Sequence, residues 1–268
     1  MDPVIDFLNT IFWGYVLIYG LLAVGIYFTL RLGFIQIVHF PEMIRSVMAS
    51  KEVDRSGITP FQALCTSLAS RVGTGNLAGV AVALYLGGPG AIFWMWMVAL
   101  VGMATAFSES TLAQLYKIRD ENGRYRGGPA FYISRGLGAP WAGALFSVCL
   151  IISFGLVFNA VQANSIADAM QGAFGAPKLV TGLVVAAFSA VIIFGGIATI
   201  ARAAEIIVPF MAIAYIAVAL YALAINITEV PSMLLHIVRS AFGIDEAVGG
   251  VAGSMAAAML NGVKRGLF

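Results

Sequence analysis

Residues 59–90 read TPFQALCTSLASRVGTGNLAGVAVALYLGGPG, and the reading of this stretch decides the fold. It is long and apolar enough to cross a bilayer, yet its middle holds Arg71, Gly73, Thr74, Gly75 and Asn76. Glycine costs about 1 kcal/mol relative to alanine inside a helix, and a central arginine costs about 2.5–3.5 kcal/mol on insertion scales. A run of both predicts two half-helices, Thr59 to Ser70 and Leu77 to Leu86, joined by an extended segment from Arg71 to Asn76. Non-helical backbone at membrane depth persists only where protein or a watery cavity covers it, so the break is the candidate binding site.

Outward from this stretch the composition sets the class. Hydrophobic residues make up 60% of the chain and charged residues 10%, with a mean hydropathy of +0.94. That balance belongs to an integral membrane protein, and the length of the apolar runs predicts an all-α helical bundle rather than a barrel. The N-terminal MDPVIDFLNT is acidic and lacks the basic start of a cleavable signal, so the first span is expected to be retained. Cys65 and Cys149 lie in apolar runs and indicate no disulfide framework. His39 and His236 are the only histidines, which argues against a zinc or iron site. An enzyme would need a convergent nucleophile and base, and with both histidines in surface segments the candidates reduce to Glu109 and Asp168.

The expected spans are Ile11 to Leu30, the broken helix, Ala91 to Tyr116, Trp141 to Asp168, Leu179 to Thr199, Ile206 to Asn226, and a last apolar stretch from Ala247 to Phe268. Short amphipathic surface segments are expected after Pro41 and from Val230 to Phe242. With the N-terminus outside, the cytoplasmic loops receive Arg31, Arg45, Lys51, Arg55, Lys117, Arg119, Arg124, Arg126, Arg135 and Arg202. The outer loops then receive only Lys178 and Arg239. This is the basic-residue bias that orients membrane proteins, and it reads the Arg-rich loop from Lys117 to Arg135 as an orientation signal rather than a nucleic-acid patch.

A repeat runs through this order. Phe40-Pro41-Glu42-Met43-Ile44 follows span one, and Val230-Pro231-Ser232-Met233-Leu234 follows span six. Each precedes a small-residue helix with a mid-membrane arginine, Arg71 in one and Arg265 in the other. Five spans separate the copies, so the second lies upside down relative to the first. Inverted repeats with interrupted helices mark secondary transporters, whose substrate and ions bind at the repeat interface. The expected organisation is one membrane domain over 1–268: an extra first span at 11–30, a first repeat at 59–226, and the start of a second repeat at 227–268. The chain stops at Phe268, where the second copy would make its own break, and this reads as a fragment or a C-terminally truncated product.

At the first break, backbone N–H groups of Thr74, Gly75 and Asn76 form a cradle suited to a carboxylate. Ser70, Val72 and Gly73 offer carbonyls suited to a dehydrated cation such as Na⁺. A glycine-kinked packing interface competes with this reading, since Gly75 and Gly79 are four apart, but packing accounts for neither Asn76 nor Arg71. Arg71 either gates the inner side or stabilises unwound carbonyls, and the sequence does not choose. In span four, Asn159 and Gln162 share a face where amides hold a ligand or bond another helix, while Asp168 reads as a surface residue. Glu109 either relays protons or pairs near the interface, and Trp94 and Trp96 read as an interfacial belt.

These residues together resemble the alanine or glycine:cation symporters, often called sodium:alanine symporters. The similar motifs are Phe61-Gln62-Ala63-Leu64-Cys65, Val72-Gly73-Thr74-Gly75-Asn76, Gly87-Gly88-Pro89-Gly90-Ala91-Ile92-Phe93-Trp94-Met95-Trp96, Gly127-Gly128-Pro129, Gln162-Ala163-Asn164-Ser165, Ile207-Val208-Pro209-Phe210 and Gly262-Val263-Lys264-Arg265-Gly266-Leu267-Phe268. The resemblance implies a LeuT-like inverted-repeat fold with one extra N-terminal span, carrying alanine or glycine inward with Na⁺ across the plasma or bacterial inner membrane. It implies that Thr74, Gly75 and Asn76 belong to the carboxylate site, that Gln162 is a substrate contact and that Phe268 is an aromatic gate. In the family the chain continues past that phenylalanine with Ser-Asn-Glu-Ala-Gly, and the later helices carry part of the pocket. The alternative is a non-transporting membrane scaffold or an inactive truncated transporter. Expected partners are a small neutral amino acid and membrane lipid, with no nucleic acid and no obligate protein partner.

Overall fold

A computed structural model describes residues 4, 7–8, 10–49, 58–121, 123, 125–243 and 254–267. Four of its helices are long and apolar enough to cross a membrane: α1 (Thr10–Arg31), α6 (Gly90–Leu115), α8 (Pro140–Phe174) and α10 (Gly196–Ile225). Between α1 and α6 lie α2 (Ile35–Val38), α3 (Phe40–Ala49), α4 (Pro60–Arg71) and α5 (Thr74–Gly87). A hairpin of β1 (Ile118–Arg119) and β2 (Tyr125–Arg126) and the surface helix α7 (Pro129–Gly136) join α6 to α8. The shorter apolar α9 (Lys178–Phe194) precedes α10, and α11 (Val230–Ala241) and α12 (Ser254–Leu267) follow it. Large side chains such as Tyr85, Phe188 and Phe194 point outward uncovered, the pattern of helices whose solvent is lipid.

The stretch 59–90 folds as two helices, with a shorter interruption than its glycine content predicts. α4 ends at Arg71, only Val72 and Gly73 stand outside helix, and α5 begins at Thr74 rather than Leu77. The reason is positional: the first four N–H groups of a helix have no intrahelical acceptor, so Thr74, Gly75 and Asn76 form its first turn while keeping those donors available to another partner. The N-terminal end of α4 is fixed by a reciprocal cap. Thr59 Oγ1 accepts from the Gln62 backbone N–H at 3.0 Å, and Gln62 Oε1 accepts from the Thr59 N–H at 3.1 Å. Pro60 occupies the first helical position, where its missing N–H is harmless.

Two further boundaries differ from expectation. Span five stops at Phe194 instead of Thr199, and the next helix starts at Gly196, ten residues ahead of Ile206. Gly196 takes φ +75°, a left-handed conformation that any side chain would strain, and this separates the two helices. Arg202 consequently lies within α10 instead of a loop. The region around Lys117 to Arg126, expected as plain loop, pairs as a hairpin with Ile118 opposite Arg126. The surface helices at Pro41 and Val230 form as expected, while the expected last span is helical from Ser254 and its beginning falls outside the described residues.

The chain forms two compact units. One comprises Met1–Glu42, Gly75–Ser108 and Tyr215–Phe268; the other comprises Met43–Thr74 and Glu109–Ala214. In the first, Ile18 of α1, Val98 of α6 and Val263 of α12 form a buried cluster, with Leu22 and Trp94 against it. Trp94 also donates from Nε1 to the Ala241 carbonyl at 3.2 Å and packs on Phe242; Trp96 is exposed. Gly90 lets α6 meet the end of α11, since a Cβ there would stand 2.6 Å from the Ala241 nitrogen. In the second unit, Cys65 of α4 packs on Ala204 and Val208 of α10.

Candidate functional site

The second unit holds the approach to the break. Val72 is extended at φ −92° and ψ 106°, and its N–H closes the last turn of α4 on the Leu68 carbonyl at 2.8 Å. Ser70 turns its hydroxyl back to the Ser67 carbonyl at 2.9 Å, and Arg71 is the exposed last residue of α4. Gly73 lies against Gln162 of α8: a Cβ on Gly73 would overlap the Gln162 Nε2 and meet its Cδ at 3.2 Å and Oε1 at 3.3 Å. The carboxamide that the sequence nominated therefore rests on the glycine of the break.

Its expected companion does otherwise. Asn159 donates its Nδ2 to the Gly155 carbonyl at 3.1 Å, bonding its own helix instead of sharing a ligand face with Gln162. The bond falls just after Ile151–Phe158, where α8 widens to i→i+5 winding. Asp168 pairs with Lys178 and accepts from Asn164 Nδ2 at 3.0 Å, which is the surface role expected of it. Glu109 faces Tyr132 of α7, where burial and then the Glu109 charge raise the phenol above its ordinary pKa. Lys117 donates to Gln114 Oε1 at 2.8 Å and lies over the Tyr125 ring.

The sequence reading passed over one ionisable residue here. Glu205, in the first third of the 30-residue α10, accepts from Gln62 Nε2 through Oε2 at 2.8 Å. A lone acid in an apolar helix, four residues before Pro209, was the available signal.

The first unit holds α5 from Gly75 onward. Thr74, Gly75 and Asn76 occupy its first turn, where backbone N–H groups lack intrahelical acceptors and align with the positive end of the helix dipole. Within this unit Arg265 of α12 donates through Nη2 to the Gly75 carbonyl and reaches Asn76 Oδ1 at 3.5 Å. A Cβ on Gly79 would collide with the guanidinium, so the two glycines make the space in which Arg265 lies. Arg265 was recognised as the second intramembrane arginine, but its seat on Gly75 is legible only in three dimensions. Phe268 lies outside the described residues. Among the described residues, no group of three or more His, Cys, Asp or Glu side chains could hold a metal ion.

Four helices long and apolar enough to cross a membrane, beside a helix interrupted at two residues, make this a multi-pass helical membrane protein. The sequence places it further: residues 1–268 match the sodium:alanine symporter family, and the chain belongs to that family. It is 49% identical over 270 residues to the probable sodium/glutamine symporter GlnT of Bacillus subtilis, covering 100% of this chain and 55% of that protein. The amino-acid carrier protein AlsT of the same organism is 49% identical, with 100% of this chain and 56% of the carrier covered. The sodium/alanine symporter AgcS of Methanococcus maripaludis is 43% identical, with 98% and 59% covered. The chain thus spans a little over half the length of these relatives.

Proposed function

We propose that these residues form the substrate-side half of a sodium-coupled symporter for a small neutral amino acid. The observation that carries this reading is the two-residue break at Val72 and Gly73, with the Gln162 carboxamide against it, in a chain of this family. The first-turn N–H groups of Thr74, Gly75 and Asn76 receive the substrate carboxylate, Gln162 contributes an amide, and Phe268 closes the pocket from the start of an inverted second repeat. Carbonyls of Ser70, Val72 and Gly73 supply oxygens to Na⁺, and Arg71 borders the same end. The printed names of the relatives support an amino acid and sodium as cargo: sodium with alanine for one, sodium with glutamine for another.

Coupling follows from preorganisation. A cation on the carbonyls at the end of α4 orders the break, and an ordered break holds the carboxylate more tightly, so each ligand raises the affinity of the other by the same factor. The fold that suits this is LeuT-like, with an additional first span, the N-terminus outside and the basic loops inside. The test is uptake of labelled alanine, glycine and glutamine into proteoliposomes with and without a Na⁺ gradient. Saturable uptake that needs Na⁺ is expected, and competition among the three ranks the substrates. Equal uptake with K⁺ replacing Na⁺ would remove the coupling.

A further inference from the structure

The first half of the broken helix is tied down twice within its unit. At its C-terminal end Gly73 abuts Gln162. At its N-terminal end Gln62 spans two partners: its Oε1 accepts from the Thr59 N–H at 3.1 Å, and its Nε2 donates to Glu205 Oε2 at 2.8 Å. The amide is thereby oriented unambiguously, because the backbone N–H can only donate and the carboxylate can only accept. Beside it the packing is small and apolar. Cys65, 2% exposed, meets Ala204 and Val208, so nothing bulky interlocks α4 with α10 at this level.

Pro209 adds a local feature on the acceptor side. Lacking an N–H, it leaves the Glu205 carbonyl without its usual helical donor and loosens α10 at the turn that carries the carboxylate. A carboxylate in a long apolar helix is costly to keep and is kept where it has a partner. Its partner here is the residue that also caps α4.

We propose that Glu205 is a positioning residue for the broken helix: acting through Gln62, it fixes α4 on α10 and so presets the break at Val72 and Gly73. Its consequence for transport rests on the break being the substrate and sodium site, but the latch itself does not. Removing the acceptor frees the start of α4 from α10, and the break at its other end loses its fixed geometry. Glutamine at position 205 retains an oxygen acceptor for Gln62 Nε2 and preserves the latch.

The protein supplies its own reporter. Cys65 is buried in the α4–α10 contact, while Cys149, the other cysteine, is exposed. In a Cys149→Ser background, N-ethylmaleimide labelling of Cys65 therefore reads the opening of that contact. Loss of a charge-assisted hydrogen bond should raise the labelling rate about tenfold or more in Glu205→Ala and in Gln62→Ala, with no further increase in the double variant. Glu205→Gln should label within about twofold of the parent, since it keeps the acceptor. An unchanged rate in both alanine variants overturns the proposal, as does Glu205→Gln labelling as fast as Glu205→Ala. Should Glu205→Ala not yield a monodisperse protein, Gln62→Ala against Gln62→Glu decides the same point from the other side, the glutamate being expected to expel α4 by like charge. Na⁺ half-saturation of uptake should rise several-fold in Glu205→Ala and be restored in Glu205→Gln. The expected labelling pattern without any uptake would leave the latch standing and overturn the transport reading alone.

Discussion

Replacing Gly73 by alanine places a methyl group where the Gln162 carboxamide now lies. The new Cβ would overlap Nε2 and press Cδ at 3.2 Å and Oε1 at 3.3 Å. Ordinary carbon contacts begin near 3.5 Å, so the amide must retreat by about an ångström. All three atoms belong to the flexible end of a side chain, and the folded state therefore loses little, about 0.5–1.5 kcal/mol for an off-rotamer glutamine. The site loses more if Gln162 bonds a charged group of the substrate: about 1.5–3 kcal/mol, or roughly 10- to 150-fold in affinity. Titration of the purified protein with alanine in saturating Na⁺ reads the affinity, and thermal melting of the same samples reads the fold. In a Gln162→Ala background the methyl meets nothing, so Gly73→Ala should add almost no further loss. An equal loss in both backgrounds, or undiminished affinity in the single variant, would refute the reasoning.

Other perturbations separate site from scaffold. Asn76→Ala should weaken apparent substrate affinity about tenfold by the loss of one polar contact, without reducing expression, as measured by binding and by membrane yield. Gly90→Ala should cost several times more stability than Gly73→Ala, because its Cβ meets the backbone of Ser240 and Ala241 at 2.6–2.7 Å and neither can rotate away; the melting temperature checks it. Trp94→Phe removes the bond to the Ala241 carbonyl and should lower stability by about 1 kcal/mol while leaving substrate affinity unchanged, in paired melting and binding experiments. Gln36→Met should raise the melting temperature: Gln36 is 7% exposed, its Oε1 is buried without a partner, and its Nε2 bonds of 3.3 and 3.4 Å are long, so an apolar replacement recovers about 1 kcal/mol.

The interruption was legible because its residues are individually poor in a membrane helix: Val72 and Gly73 lie in it as expected, whereas Arg71, expected in it, is the last residue of α4. Its length was misjudged because propensity is summed over residues, whereas the first turn of a helix makes no intrahelical bonds through its N–H groups, so Thr74 to Asn76 enter it with those donors left for another acceptor. The boundary between α9 and α10 was hidden for the opposite reason. Gly195 and Gly196 sit in an unbroken apolar run, and hydropathy cannot see a single residue at positive φ. The cap formed by Thr59 and Gln62 has a readable spacing, Thr-x-x-Gln before an apolar run, and it went unread beside the larger break. The seat of Arg265 on Gly75 and the bond from Gln62 to Glu205 join residues 190 and 143 positions apart, separations that no local pattern encodes.

The i→i+5 winding at Ile151–Phe158 sets the angular phase of everything beyond it in α8. Residues after Phe158 are rotated about the axis relative to where uniform α winding from Pro140 would put them. If the same residues took regular α winding with their number unchanged, each would advance by about 100° instead of the smaller step of a wider turn, and the distal half would swing about the axis. Gln162 would then turn away from Gly73 although neither residue had changed. The aim of the side chain that meets the break is thus set by a stretch of plain aliphatic and aromatic residues a full turn and more away, where changes that preserve hydrophobicity but alter the winding are the ones to fear.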